Sequence, residues 1–200
     1  MTHPGFFEGT GMPDPGWWEA LFPEPAKILV DAGLKAGMEV ADLCSGDGWF
    51  TLQIAKVAQH VFAIDIDKAL LEVARKRLEE SGVSNCDYIE GDAYRIATLC
   101  PHAVDFIFMA NAFHGVPDKP RLAKVVCDAL KPGGLFAVVN WHAKPREETE
   151  VLGEPRGPKT ELRIEADVVA QSVEQSGLCH VKTIEVPPYH YAATYQKPLI

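Results

Sequence analysis

No two cysteines in this chain stand close enough to make a C-x-x-C pair. The five, Cys44, Cys86, Cys100, Cys127 and Cys179, are odd in number and widely spaced. That excludes a disulfide framework and points to reduced thiols, as in a cytoplasmic protein. Basic runs are also missing. The net charge is −9, and residues 1–100 carry 16 acidic against 8 basic side chains. Such a surface repels phosphate backbones, so no nucleic-acid partner is expected. No apolar run nears the roughly 20 residues of a membrane helix, so no membrane partner is expected either. Met1-Thr2-His3-Pro4-Gly5 has neither the basic nor the apolar region of a secretory signal. The seven histidines, His3, His60, His102, His114, His142, His180 and His190, show no metal-ligand spacing, and no metal is expected. Internal repeats, low-complexity tracts and domain boundaries are absent. With 47% apolar residues in 200, one domain with a substantial core is expected.

What is present is an alternation of strand and helix. Residues 1–17 are rich in Gly, Pro and aromatics, too broken for regular structure and too aromatic for disorder. A helix is expected from Trp18 to Leu34, ending at Gly33 and Gly37. Strands are then read at Val40–Leu43, Val61–Asp65, Cys86–Glu90, Val104–Met109 and Leu135–Trp141, with helices at Trp49–Gln59, after Asp67, and at Asp118–Leu130. The fourth strand is apolar nearly throughout, as a central parallel strand should be. Residues 143–160 form a long loop with three prolines and two glycines, a length usually tied to function or mobility. A helix at Glu165–Ser176 and strands at Cys179–Val186 and Tyr189–Gln196 close the chain. The Pro187-Pro188 turn makes the last strand antiparallel. The expected fold class is α/β, a Rossmann-like seven-stranded sheet, mostly parallel, with helices on both faces.

Four signals follow successive strands, at the edge where open α/β sheets bind ligands. The first is Asp42-Leu43-Cys44-Ser45-Gly46-Asp47-Gly48, a strand end and glycine turn that let backbone approach a ligand. The second is Asp65, about 20 residues further on, where an acid reaches ribose hydroxyls. Asp67 is left to cap the following helix. The third is Gly91-Asp92-Ala93, an acid and a neighbouring N–H suited to adenine. The fourth is Ala110-Asn111-Ala112-Phe113-His114-Gly115. A dinucleotide fingerprint needs a third glycine, and Trp49, Phe50 and Thr51 follow Gly48 instead. Asp42 would repel a phosphate and suits a cationic ligand.

With Leu130-Lys131-Pro132-Gly133-Gly134 and the terminal hairpin, these motifs resemble the class I S-adenosylmethionine-dependent methyltransferases over roughly residues 26–197, and among them the small-molecule enzymes with little insertion between strands. The resemblance implies S-adenosylmethionine as cofactor and a small-molecule methyl acceptor. It implies that Asp42 and Gly46, with Gly48 in the same turn, hold the methionine part. Asp65 would bind the ribose, Ile66 pack on adenine, Asp92 and Ala93 meet the adenine edge, and the Asn111 carbonyl face the ammonium. Cys44 departs from the family, which usually has glycine there. It reads either as a small buried residue or as a thiol nucleophile. The chain would divide into an N-terminal lid and helix (1–37), a cofactor-binding core (38–143) and a loop, helix and hairpin (144–200).

Methyl transfer is an in-line displacement that needs alignment and a deprotonated acceptor. His114 is the first candidate base, with a purely structural histidine an equal alternative. His142 and Trp141 follow strand five, and Phe7 and Trp17 belong to an aromatic N-terminus able to exclude water, so these four are candidate pocket residues with His114. A cofactor-binding protein without catalysis on the same fold is the second function class. A nicotinamide oxidoreductase is a third, disfavoured by the missing glycine.

Overall fold

The computed structural model describes residues 6–199. His3 and the rest of the first five residues lie outside that range. Two helices open the chain, α1 (Pro15–Leu21) and α2 (Pro25–Ala32). The sequence pattern suggested one helix here. Pro23 and Pro25 divide it, because each proline pushes the residue before it out of the helical region; Phe22 and Glu24 take ψ 70° and 60°. Gly33, at φ 117°, ends α2.

Then follow β1 (Glu39–Leu43), α3 (Trp49–Ala55), β2 (His60–Asp65), α4 (Lys68–Glu80), β3 (Cys86–Glu90), α5 (Ile96–Leu99), β4 (Val104–Ala110), α6 (Lys119–Ala129) and β5 (Leu130–Trp141). The long loop after β5 is not featureless. It holds a short hairpin of β6 (Glu150–Val151) and β7 (Glu154–Pro155). The chain ends with α7 (Ala166–Glu174), β8 (Cys179–Val186) and β9 (His190–Gln196).

The seven main strands form one sheet in the order β3-β2-β1-β4-β5-β9-β8. The first five are parallel, and β9 runs antiparallel to both β5 and β8. β4 shows why both faces are covered. Side chains alternate across a strand, so Phe106 and Phe108 enter one core with Trp18, Phe50 and Ile54, while Ile107 and Met109 enter the other with Leu122 and Val126. Because β2, β1, β4 and β5 are parallel, their C-terminal ends emerge at one edge, in that spatial order.

Gly48 belongs to this packing rather than to the edge. It precedes α3 at φ 79°, and a Cβ there would stand 2.7 Å from the Ala74 Cβ and 2.9 Å from its Cα on α4. The residue therefore lets α3 and α4 approach, and it does not line the cavity described below. Gly48→Ala is expected to cost about 2–3 kcal/mol in urea unfolding, from the left-handed backbone and the backbone clash together.

Candidate cofactor and acceptor site

The turn after β1 is built on two residues in the left-handed region, Cys44 at φ 61° and Gly46 at φ 55°. Position 44 thus needs the conformation glycine adopts freely, in keeping with the glycine that the sequence resemblance implies there; cysteine occupies it at a strain of about 1 kcal/mol. Burial, with Asp65, Asp42 and Asp92 nearby, pushes the Cys44 thiol well above its ordinary value. The shift favours the protonated thiol, the less nucleophilic form.

Three carboxylates surround this turn. Asp42 is 3% exposed and accepts a 2.6 Å hydrogen bond from the Thr51 hydroxyl. Burial raises its pKa to about 7, and Asp65 adds to the shift. Asp65 itself accepts from the Gly46 N–H at 2.8 Å through Oδ2 and from the Asp67 N–H at 2.9 Å through Oδ1. It ties the turn to the start of α4, which Asp67 caps through the Ala69 and Leu70 N–H groups. A carboxylate offers about four acceptor sites, so Asp65 retains capacity for a ligand. Asp92 spends one oxygen on the Tyr94 N–H at 2.9 Å.

After β4, Asn111 turns the chain at φ 54°, with its N–H on the Val139 carbonyl. Its side-chain oxygen and nitrogen are buried without a protein partner, as is the Ser45 hydroxyl. His114 is 3% exposed. Its Nδ1 lies 3.1 Å from the Asn140 amide oxygen and its Nε2 3.3 Å from the Gly9 carbonyl. Burial lowers its pKa, so the ring is neutral and has one N–H. Turning the Asn140 amide end for end satisfies both contacts: Nε2–H donates to Gly9, and Asn140 donates to Nδ1 with a nitrogen otherwise unpartnered.

The N-terminal segment lies over this edge. The Phe7 ring meets Tyr94 edge-on at 6.0 Å, and Trp17 meets Trp141 at 6.4 Å. A Cβ on Gly46 would come within 2.8 Å of the Met12 sulfur, and one on Gly115 would collide with the Glu8 backbone. The loop after β5 forms the other wall. Arg163, 5% exposed, is its staple. The guanidinium lies 4.8 Å from the Trp141 ring centre and donates to the Pro158, Lys144 and Arg156 carbonyls and the Thr149 hydroxyl. Arg163→Ala leaves two buried and two part-buried acceptors short of a donor. It is expected to lower stability by about 3 kcal/mol, read by chemical denaturation.

Together these parts enclose a cavity of about 300 Å³. Of the sequence candidates, it is lined by Asp42, Gly46, Asp65, Ile66, Asp92, Ala93, Asn111, Trp17, Phe7, Trp141 and His114. His142 is not among them. Its ring sits between the carboxylates of Glu165 (3.4 Å) and Glu185 (3.0 Å), to one side of the cavity. Ser45, within the glycine-turn motif, also lines the cavity, as do Met12, Arg146 and Arg156, which the sequence did not single out. The Pro- and Gly-rich loop signalled function, but no periodicity tells which of its cations face inward.

This chemistry fits S-adenosylmethionine. Buried acids await a cation, Asn111 and Ser45 lack partners, and the acids at 65 and 92 keep free acceptor sites. Among the described residues, no group of three or more His, Cys, Asp and Glu can hold a metal, and no helix is long and apolar enough to cross a membrane.

Residues 40–134 match the model of a family described as a methyltransferase domain. The chain is similar to the ubiquinone/menaquinone biosynthesis C-methyltransferase UbiE of Shewanella woodyi, with 31% identity over 124 residues, 60% of this chain and 49% of that protein. The protein of the same name from Idiomarina loihiensis is 30% identical over 122 residues, 59% of this chain and 48% of its own. The chain thus spans about half the length of the curated relatives it matches. A solved structure of a SAM-dependent methyltransferase from Aquifex aeolicus superimposes with a TM-score of 0.76 at 25% identity, over 92% of this chain and 93% of that one. An S-adenosylmethionine-dependent methyltransferase from Mesorhizobium loti shares the fold, with a TM-score of 0.66 at 19% identity over 89% and 98%.

Proposed function

We propose, from the premise that this chain belongs to the class I S-adenosylmethionine-dependent methyltransferases, that it transfers a methyl group to a small-molecule acceptor by in-line displacement. The observation that carries the proposal is the set of buried, incompletely satisfied polar groups, Asp42, Asn111 and Ser45, gathered at the glycine turn. Asp42 and the Asn111 carbonyl hold the ammonium, and Gly46 lets backbone approach the methionine part. Asp65 holds the ribose, Ile66 packs on adenine, and Asp92 and Ala93 meet its edge. S-adenosylmethionine bound there supplies an electrophilic methyl group on a sulfonium. Phe7, Trp17 and Trp141 exclude water from the reacting centre. Of the described residues, 6–37 act as cover, 38–143 as the cofactor-holding core, and 144–199 as the remaining wall and sheet edge of one domain.

His114 is better placed as a tie than as a base. Both ring nitrogens are engaged by protein, and one of them holds the N-terminal segment at Gly9. His114→Ala is expected to release that segment. Amide exchange over residues 6–14 should quicken by about tenfold, the worth of one buried hydrogen bond; unchanged exchange there would remove the tie.

The function is tested by incubating the protein with S-adenosylmethionine labelled in its methyl group and fractionated metabolite extracts. Label entering a small molecule is the expected result. Persistent failure, with cofactor binding intact, would instead make the chain a cofactor-binding protein without catalysis.

A further inference from the structure

The cavity has walls of opposite charge. Asp42, Asp65 and Asp92 lie under the ends of β1 and β2 and after β3. Arg146 and Arg156 line the same cavity from the loop after β5. In a chain of net charge −9, cations near a surface readily find carboxylates, yet neither arginine has one. Neither forms an ion pair among the described residues. Arg146 spends its Nε on the Gly157 carbonyl at 3.2 Å. The Arg156 Nε is buried and has no partner at all.

The backbone around Arg156 is fixed by other groups. Its N–H donates to the Thr149 carbonyl, and its own carbonyl accepts from Arg163 and the Thr149 hydroxyl. The loop therefore holds in the cavity a side chain that gives the loop no hydrogen bond or ion pair. A partly buried guanidinium without an acceptor is unfavourable, and it suits the planar fork of a carboxylate or another oxyanion.

The sheet order separates this group from the cofactor's place. Along the ligand edge run Asp65 of β2, the turn of β1, Asn111 after β4, and Trp141 with the arginine loop after β5. Asp65, Asp42 and Asn111 occupy the first three places, with Asp92 beyond Asp65 after β3, and the arginines belong to the loop that follows the fourth, where Gly157, next to Arg156, packs on Trp141. We infer that the methyl acceptor is an anionic organic molecule, an aromatic or apolar carboxylate or similar oxyanion, whose charge is received by Arg156 with Arg146 beside it. The inference rests on the methyltransferase reading and adds the chemical class of the acceptor.

The test uses the full chain saturated with S-adenosylhomocysteine and compares benzoate with its uncharged isostere benzamide by calorimetry. Benzoate should bind at least roughly tenfold more tightly, as expected when a charge-assisted bond is lost. Arg156→Gln should abolish that preference while S-adenosylhomocysteine affinity changes by less than about twofold, and Arg156→Lys should restore part of it. The substituted side chain has no protein hydrogen bond to lose, so the loop should survive, and a melting temperature that does not fall checks this. Equal binding of the two probes, binding of neither, or a benzoate affinity indifferent to Arg156→Gln would overturn the inference. So would a loss of S-adenosylhomocysteine affinity in Arg156→Gln, which would give the arginine to the cofactor's own carboxylate. If S-adenosylhomocysteine fails to bind the unmodified chain, the cofactor assignment falls. The benzoate preference, measured without it, then decides the arginine site on its own.

Discussion

Asp42→Asn is expected to stabilise the protein and to weaken its affinity for S-adenosylmethionine by about a hundredfold or more. The two effects share one cause. Burial raises the Asp42 carboxyl to about 7 from an ordinary 3.8. An acid whose pKa is raised by folding favours the folded state only while protonated. Its penalty is absent below about pH 4, grows as pH rises to 7, and is then constant, with an upper limit of about 4 kcal/mol. Asparagine keeps an acceptor for Thr51 and removes the penalty. The stability of the variant should therefore exceed that of the parent above pH 7, and the gap should close on acidification toward pH 4. Affinity behaves oppositely. An ammonium partner needs the carboxylate, so the parent should lose about tenfold in affinity for each pH unit below 7, while Asp42→Asn should show no such slope. Urea unfolding and calorimetric titration across pH 5–8 read both quantities. A destabilised variant, or one that binds as tightly as the parent, would remove Asp42 from the proposed ammonium site.

Asp65→Ala should be the most damaging single substitution at the site. It takes the acceptor from the Gly46 and Asp67 N–H groups, at 2.8 and 2.9 Å, and from the ribose hydroxyls as well. Two N–H groups left short of a partner in a largely buried place should cost about 2–4 kcal/mol of stability. Affinity for S-adenosylmethionine should fall by about a thousandfold, because the turn loosens and the hydroxyls lose their acceptor together. Asp65→Asn separates the two contributions. The amide oxygen keeps one backbone bond, so stability should be partly retained while affinity still falls by about tenfold or more. If Asp65→Ala unfolds more easily yet binds within about threefold of the parent, Asp65 serves the turn alone.

The sheet was legible because its strands announce themselves. Val104–Met109 could hardly be anything but a central strand, and glycines or prolines mark the ends of α2, α4 and β8. The single helix expected over Trp18–Leu34 shows the limit. Apolar spacing continued through Phe22, but Pro23 and Pro25 decide the backbone locally, and the structure holds two helices. At the site, most motif positions reached the cavity because they sit at strand ends, and topology alone brings strand ends together. Gly48 and His142 did not. Gly48 shares the turn's glycine pattern but answers to Ala74 across a helix contact. His142 comes one residue past Trp141, and adjacent residues leave a strand toward opposite sides. Arg146, Arg156 and Met12 were invisible for another reason. Their places depend on how two irregular segments fold over the edge, which no period in the chain encodes.

The cradle around Asp42, Gly46, Asp65 and Asn111 is the centre of this account, and calorimetric titration with S-adenosylhomocysteine at pH 8 tests it most directly, with NAD as control. One site per chain, a Kd below about 100 μM that weakens as pH falls through 7, and no heat with NAD are the expected results. Absence of binding at millimolar S-adenosylhomocysteine, or saturable binding of NAD, would contradict it.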